Sequence, residues 1–352
     1  MNLWEVIMDA ADETETGIPS SSSVPTLTEY IRWIRKAVEI ITNYTDCLDQ
    51  LITFSSVANQ QKYTVPARFI RPISVEYIRG TQSIYRLEYR DIQSFRYYQQ
   101  FNYTTGIPQI CTVWEKNLYI YPPVSSSAGT TTLDGNITAT DTTITVDSTS
   151  NFPKRGRIII ENEVIEYTDT NSTQFLNCTR GVEGTDAVSH SDGKTVTERD
   201  IWVHSSVRYL RQEPTIYNTG TVSATNGSAT ITGSGTVWSS NVISGWVIGI
   251  GTNPTKFYTI SSVDNDTQIT ISENYEGSDT TGASYIIASL VEFPTQYSDL
   301  ITLYLIYRTK RRLEELQQAS LYRAEFEDAL NKCRYEMIQK RQNIEYLGMP
   351  DF

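Results

Sequence analysis

The chain has 352 residues, 39% hydrophobic and 20% charged, with a net charge of −12. That length allows two or three domains at the usual prior of roughly 100–200 residues each. Such acidity excludes a protein that holds nucleic acid through non-specific phosphate contacts. Its 23 tyrosines against four methionines, with abundant Thr and Ser, favour strands and contact surfaces over a helical bundle.

The start, Met1 to Glu5, lacks a basic segment leading into a long apolar run, so no signal-peptide pattern is expected. Nor does any stretch reach the roughly 20 apolar residues of a membrane span. Residues 1–25 join a short apolar piece (Leu3, Trp4, Val6, Ile7) to an acidic run, Asp9 to Glu15, and a serine cluster before Val24. They read as a flexible lead-in with a docking patch at Trp4.

Thr26-Leu27-Thr28-Glu29 is a capping box that opens a helix. Leu27, Ile31, Ile34, Val38, Ile41, Leu48 and Leu51/Ile52 keep helical phase, with Arg32, Trp33, Arg35 and Lys36 off the stripe. From Phe54 the period becomes two. Tyr63 to Pro66, Ile70 to Ile78 and Ile84 to Tyr89 read as strands, with turns at Asn59-Gln60 and Gly80-Thr81. Asp91 to Tyr103 reads as a short aromatic helix broken by Gly106-Ile107-Pro108. Ile110 to Trp114, the turn Glu115-Lys116-Asn117 and Leu118 to Pro123 form a hairpin.

Composition shifts at Ser125. Residues 126–197 are rich in Thr, Ser, Gly and Asp with short alternating runs, an inserted all-β module; residues 218–285 are a second. Between them, residues 198–217 return to the earlier tyrosine- and arginine-rich style. At the C-terminal end, Leu300 to Tyr307 is apolar nearly all round and so buried. Arg308, Lys310, Arg311 and Arg312 bring the helix into water. Tyr322, Phe326, Leu330, Cys333 and Met337 then form one stripe of a further helix, expected to finish near Asn343 because Gly348 and Pro350 forbid continuation. The fold class is α+β. A core of residues 26–124, 198–217 and 286–345, with a long N-terminal helix, two C-terminal helices and a β-sheet subdomain, is interrupted by two β modules and ends in an arm, 346–352.

The four cysteines are far apart in sequence and read as reduced and buried; no redox pair, metal site or cofactor site is spelled out. In the first module Glu161, Glu163, Glu166, His190 and Asp192 were weighed as paired catalytic carboxylates or metal ligands. A solvated strand and turn is the better reading. His204 has no triad partner in sequence, and Gly233-x-Gly235 is a turn without a following phosphate-binding helix. Arg90, Arg96, Tyr97, Tyr98, Phe101 and Tyr103 combine the residue types found at interface centres and read as a subunit interface. The cations Arg308, Lys310, Arg311 and Arg312 suit either solvent or an acidic neighbour.

Several stretches carry a resemblance. They are Phe54-Ser55-Ser56-Val57 leading to Tyr63-Thr64-Val65-Pro66, Gly106-Ile107-Pro108, and Leu118-Tyr119-Ile120-Tyr121-Pro122-Pro123. Val207-Arg208-Tyr209-Leu210-Arg211-Gln212-Glu213-Pro214 and Val291-Glu292-Phe293-Pro294 follow. In this order they resemble the head-to-tail adaptor proteins of tailed bacteriophages (neck, head-completion or tail tubular proteins), and the two modules resemble β modules of phage tail and fibre proteins. The resemblance implies a structural virion protein at the neck between capsid and tail, assembled in the host cytoplasm. It implies a homo-oligomeric ring, usually a dodecamer, beneath the portal, and a docking platform for tail, nozzle or fibre proteins. Genome DNA would pass through without specific binding, with no cofactor, no membrane and no catalysis. It further implies that the arm, through Tyr346, Leu347, Met349 and Phe352, reaches the portal. A tail fibre or spike whose modules bind host glycan is the alternative, and an enzyme acting on surface polysaccharide a third.

Overall fold

The computed structural model describes residues 2–80, 83–101, 104–293, 297 and 299–347; the side chains of residues 79, 101 and 340–347 lie outside that description. The helices are α1 (Leu3–Glu13), α2 (Leu27–Thr45), α3 (Ile92–Phe101), α4 (Trp238–Asn241), α5 (Asp299–Arg312) and α6 (Leu316–Leu347). With an extensive strand complement, the chain is α+β. It divides into two compact units, residues 48–212 and residues 1–47 with 213–352.

The unit of residues 48–212 begins with β1 (Asp49–Phe54), β2 (Lys62–Thr64), β3 (Phe69–Arg79), β4 (Ser83–Tyr89), β5 (Ile110–Trp114) and β6 (Asn117–Tyr121). Short strands of the first module follow: β7 (Thr130–Thr132), β8 (Ile144–Thr145), β9 (Gly156–Ile160), β10 (Glu163–Tyr167), β11 (Asp169–Thr170), β12 (Gln174–Leu176), β13 (Thr179–Val182) and β14 (Thr195–Glu198). Then β15 (Ile201–Val207) returns to the first sheet, whose order is β1-β15-β3-β4-β5-β6-β2. Every neighbouring pair in it is antiparallel except β4 and β5, which are parallel because α3 carries the chain across between them. The hairpin β5–β6 turns on Glu115 and Lys116, both left-handed at φ 47° and 61°, as a turn matching strand twist requires. The module forms sheets β13-β10-β9-β14-β7 and β11-β12-β8 around Phe152, Ile158, Ile160, Tyr167 and Phe175.

In the other unit, α1, α2, α5 and α6 pack together, with α5 touching the other three. Buried Leu300, Ile301, Tyr304, Leu305 and Ile306 put α5 in the interior, as its all-round apolar sequence demands. Tyr304 meets Phe326 at 5.3 Å between ring centres, and the buried stripe of α6 is Ala319, Phe326, Leu330, Cys333 and Met337. The helix α6 runs on to Leu347, past Asn343, because no glycine or proline interrupts it there.

Two further boundaries differ from the sequence reading. Residues 3–13 are helix rather than flexible lead-in: Asn2 and Glu5 make a reciprocal capping box, and Leu3, Trp4, Val6, Ile7, Ala10 and Ala11 form one buried stripe. At its other end α2 stops at Thr45, where Asp46 turns left-handed at φ 51°. Leu51 and Ile52, in helical phase with α2, pair instead with His204 and Val203 in a strand. A strand partner remote in sequence overrides local phase.

The second module in this unit comprises β16 (Ile216–Tyr217), β17 (Thr221–Ala224), β18 (Thr230–Ser234), β19 (Val247–Ile250), β20 (Phe257–Asn265), β21 (Gln268–Ile271), β22 (Thr280–Ala283) and β23 (Tyr285–Ala288). They make one sheet, order β16-β23-β19-β20-β21-β18-β17-β22, around Trp238, Ile248, Ile260, Ile269 and Ile287. The Trp238 indole N–H donates to Tyr285 Oη at 3.1 Å, satisfying a fully buried donor. Gly233 lies so close that a Cβ there would stand 2.7 Å from the Trp238 ring.

Candidate docking surfaces

The crossover α3 is held at its start by Asp91, whose carboxylate accepts from the Gln93 and Ser94 N–H groups at 2.9 and 3.0 Å. The hydrogen bond from the Ser94 hydroxyl holds that carboxyl below its ordinary range. Phe95 packs beneath the helix on Ile110 and Tyr121. Everything else on this short helix can face outward, and Arg96, Tyr97 and Tyr98 do, the two tyrosines 61% and 46% exposed. Beside them runs a groove of about 540 Å³ lined by Tyr97, Tyr98, Thr104, Gln109, Ile110, Tyr121 and Pro122. Arg90 pairs with Glu88 at 2.7 Å and stands over the Tyr98 ring at 5.7 Å. Two buried polar atoms here have no hydrogen-bond partner: the Tyr121 hydroxyl and Arg90 Nε. Of the six expected interface residues, Tyr97 and Tyr98 line this groove, Arg90 stands over the Tyr98 ring, and Arg96 is exposed on the same helix. The Phe101 side chain and Tyr103 lie outside the described residues. Sequence reasoning missed Tyr121, because only strand pairing carries the hairpin to α3.

The cations at the end of α5 each have a neighbour. Arg308 stands over the Trp33 ring at 5.3 Å, and Lys310 pairs with Glu315 at 3.0 Å. Arg311 donates to Tyr307 Oη at 3.1 Å, and Arg312 pairs with Glu29 at 3.4 Å. Cations at a helix C-terminus also complement its dipole. Trp33, off the sequence stripe of α2, is buried, with only 4% exposed. Tyr346 and Leu347 fall in the last turn of α6, their side chains outside the description; Met349 and Phe352 lie outside the described residues.

In the first module the weighed carboxylates are tied to cations. Glu163 is buried and receives Arg180 Nη2 at 2.7 Å, Arg180 Nε at 2.8 Å and His190 Nε2 at 2.8 Å. The other ring nitrogen of His190 meets Glu161 at 2.9 Å, and Glu161 also pairs with Lys194 at 2.6 Å. Burial works against ionisation of Glu163, but Arg180, His190 and the Val188 N–H outweigh it and leave its carboxyl below the usual range. This cluster pins the loop on which His190 and Ile137 exchange backbone bonds at 2.9 and 3.0 Å. Glu166 pairs with Arg157 at 2.6 Å, and Asp192 accepts from the Gly135 N–H at 2.8 Å.

A second charged cluster, absent from the sequence reading, joins module to sheet. Strand β1 is an edge: one side pairs with β15, and the other presents the N–H and C=O of Thr53 and the C=O of Leu51. The module covers all three. Glu183 accepts the Thr53 N–H at 2.9 Å and the Thr53 hydroxyl. Arg157 donates to the Leu51 carbonyl at 3.3 Å and to Glu183 at 3.1 Å, while Arg199 donates to the Thr53 carbonyl. Next to it Asp200 accepts from the Ser56 N–H at 2.7 Å, and Glu198 accepts from the Gly129 N–H at 3.1 Å. Burial pushes the Glu198 carboxyl up to about 7, with Asp200 adding repulsion and the Gly129 bond opposing. It pushes Asp200 up to about 6 against the two Ser56 bonds. The cysteines Cys47, Cys111, Cys178 and Cys333 are buried and not joined in disulfides, and burial raises the Cys111 thiol to about 12. No group of three or more metal-ligating side chains occurs among the described residues.

Residues 1–160 match the model of the SU10 adaptor protein family, which supports a phage structural protein of the adaptor type. No curated protein matches the chain. Among solved structures, phage phi92 endosialidase is 13% identical over 54% of this chain and 36% of that one, with a TM-score of 0.18. The chain therefore spans little more than a third of that protein, and so slight a likeness bears on neither fold nor function.

Proposed function

We propose that the protein is a head-to-tail adaptor of a tailed phage, forming a ring beneath the portal that extends the DNA channel and presents a platform for tail, nozzle or fibre proteins. The match of residues 1–160 to the SU10 adaptor family carries this reading. The groove beside α3, with Arg90, Arg96, Tyr97 and Tyr98, supports a contact between subunits, to which Phe101 and Tyr103 belong in sequence. The arm, through Tyr346, Leu347, Met349 and Phe352, attaches to the portal, with the exposed faces of Arg308, Lys310, Arg311 and Arg312 against acidic portal surface. The ring is a dodecamer to match its portal, and the net charge of −12 keeps the channel wall from holding DNA. The two β modules face outward as docking points.

The test is purification together with the portal of the same phage and imaging of the complex. A ring stacked coaxially on the portal is expected, with no retention of double-stranded DNA at ~0.15 M salt. A trimeric particle that ignores the portal and retains host glycan would instead mark a fibre or spike component.

A further inference from the structure

A closed ring needs two different patches per subunit, because a head-to-tail contact joins unlike surfaces. The groove beside α3 is one patch, and the geometry points to the loop after α1 of the next copy, residues 14–25, as its occupant; this rests on the subunit-contact reading of the groove. The loop carries Ile18 and Val24, 47% and 51% exposed, so two large apolar side chains stand in water. Its shape is fixed in advance. The Ser20 N–H donates to Ser23 Oγ at 2.8 Å, the Leu27 N–H donates to the Ser20 carbonyl at 2.9 Å, and Pro19 and Pro25 are buried. A preformed loop loses little freedom on docking.

Charge selects this occupant. Asp12, in the last turn of α1, and Glu15, in the loop, are exposed and form no salt bridge among the described residues. On α3, next to the groove-lining Tyr97, Arg96 is exposed and forms no salt bridge among the described residues, and Arg90 Nε lacks an acceptor there. Opposite charges at the rim steer and orient such a contact. The other exposed apolar stripe, Leu321, Tyr335 and Ile338 on α6, lacks this complementarity. Its charges neutralise one another along the helix, Arg323 with Glu327 at 2.8 Å and Lys332 with Asp328 at 2.9 Å. Within the groove, Tyr121 is 94% buried yet its hydroxyl is unpaired; a backbone carbonyl of an incoming loop supplies the missing acceptor.

The test measures self-association of the full chain by sedimentation over a concentration series. Arg96→Glu and Asp12→Arg should each weaken association about tenfold, and the two together should restore most of it. Tyr121→Phe, which removes only the unpaired hydroxyl, should weaken association severalfold while thermal melting is unchanged. A wild-type chain monomeric at every concentration overturns the inference, as does a double variant no better than the single ones. Portal attachment is scored separately. Rings that form on the portal regardless of these variants would refute the loop as occupant and leave the adaptor reading standing. Association that obeys the charge swap with no portal attachment would do the reverse.

Discussion

Glu198→Gln should reverse its effect on stability between pH 4 and pH 8.5. Glu198 is 6% exposed, and its Oε2 accepts from Gly129 while Oε1 has no partner. Its carboxyl titrates near 4.5 when unfolded and at about 7 when folded. Between those values the folded chain binds more protons than the unfolded one, so stability is greatest below the unfolded pKa and falls as pH rises through the folded pKa. Above pH 7 the loss is roughly 3 kcal/mol. Glutamine never ionises; its carbonyl keeps the Gly129 bond, and its amide donors are buried without an acceptor at a cost of about 1 kcal/mol. The variant should therefore be about 1 kcal/mol less stable at pH 4 and about 2 kcal/mol more stable at pH 8.5. For a unit of this size that is a rise of roughly 4–8 °C in melting temperature at the higher pH. Scanning calorimetry of both proteins from pH 4 to 8.5 reads this directly. Parallel curves would mean that the carboxyl is not proton-linked to folding and would refute the argument. Asp200, displaced in the same direction, leaves a smaller slope of its own in the variant.

Glu183→Ala should cost about 2–3 kcal/mol in denaturant unfolding, since it leaves the buried Thr53 N–H and hydroxyl without their acceptor and takes one carboxylate from the half-buried Arg157 and Arg199; a loss below about 1 kcal/mol would show that water replaces the carboxylate. Thr26→Ala removes the acceptor for the Glu29 N–H at 3.2 Å and should cost about 1 kcal/mol, read as a small drop in melting temperature. Removing residues 346–352 should leave melting unchanged and weaken portal attachment about tenfold; lower stability with portal binding intact would make the arm a packing element of its own subunit.

What the sequence disclosed was local. The capping box at Thr26 and Glu29, the buried α5, and the Glu115-Lys116 turn are each written within a few residues, where hydrogen-bond and dihedral rules act directly. The cluster at β1 could not be read that way, because Arg157, Glu183 and Arg199 lie more than a hundred residues beyond Thr53 and look like ordinary surface charges in the chain. For the same reason α2 seemed to run on to Ile52, whose strand partner is Val203. The aromatic residues of α3 were legible as a contact surface from their types, while Tyr121 joined them only through the register of β5 and β6. Trp33 fell off the helical stripe because it packs beneath Arg308, a partner that periodicity does not record.

The position of β15 between β1 and β3 bears on how the chain is made. On a ribosome, β1 and β3 emerge early, yet the strand that separates them arrives only after the whole first module has been synthesised. In that interval both are open to pairing with each other or with a neighbouring nascent chain, and such long-range strand closure is slow. The module has its own core and can fold first, delivering Arg157 and Glu183 to the exposed side of β1 just as β15 follows from its last strand. A chain order of this kind would postpone completion of the sheet until the groups that close its edge are already in hand.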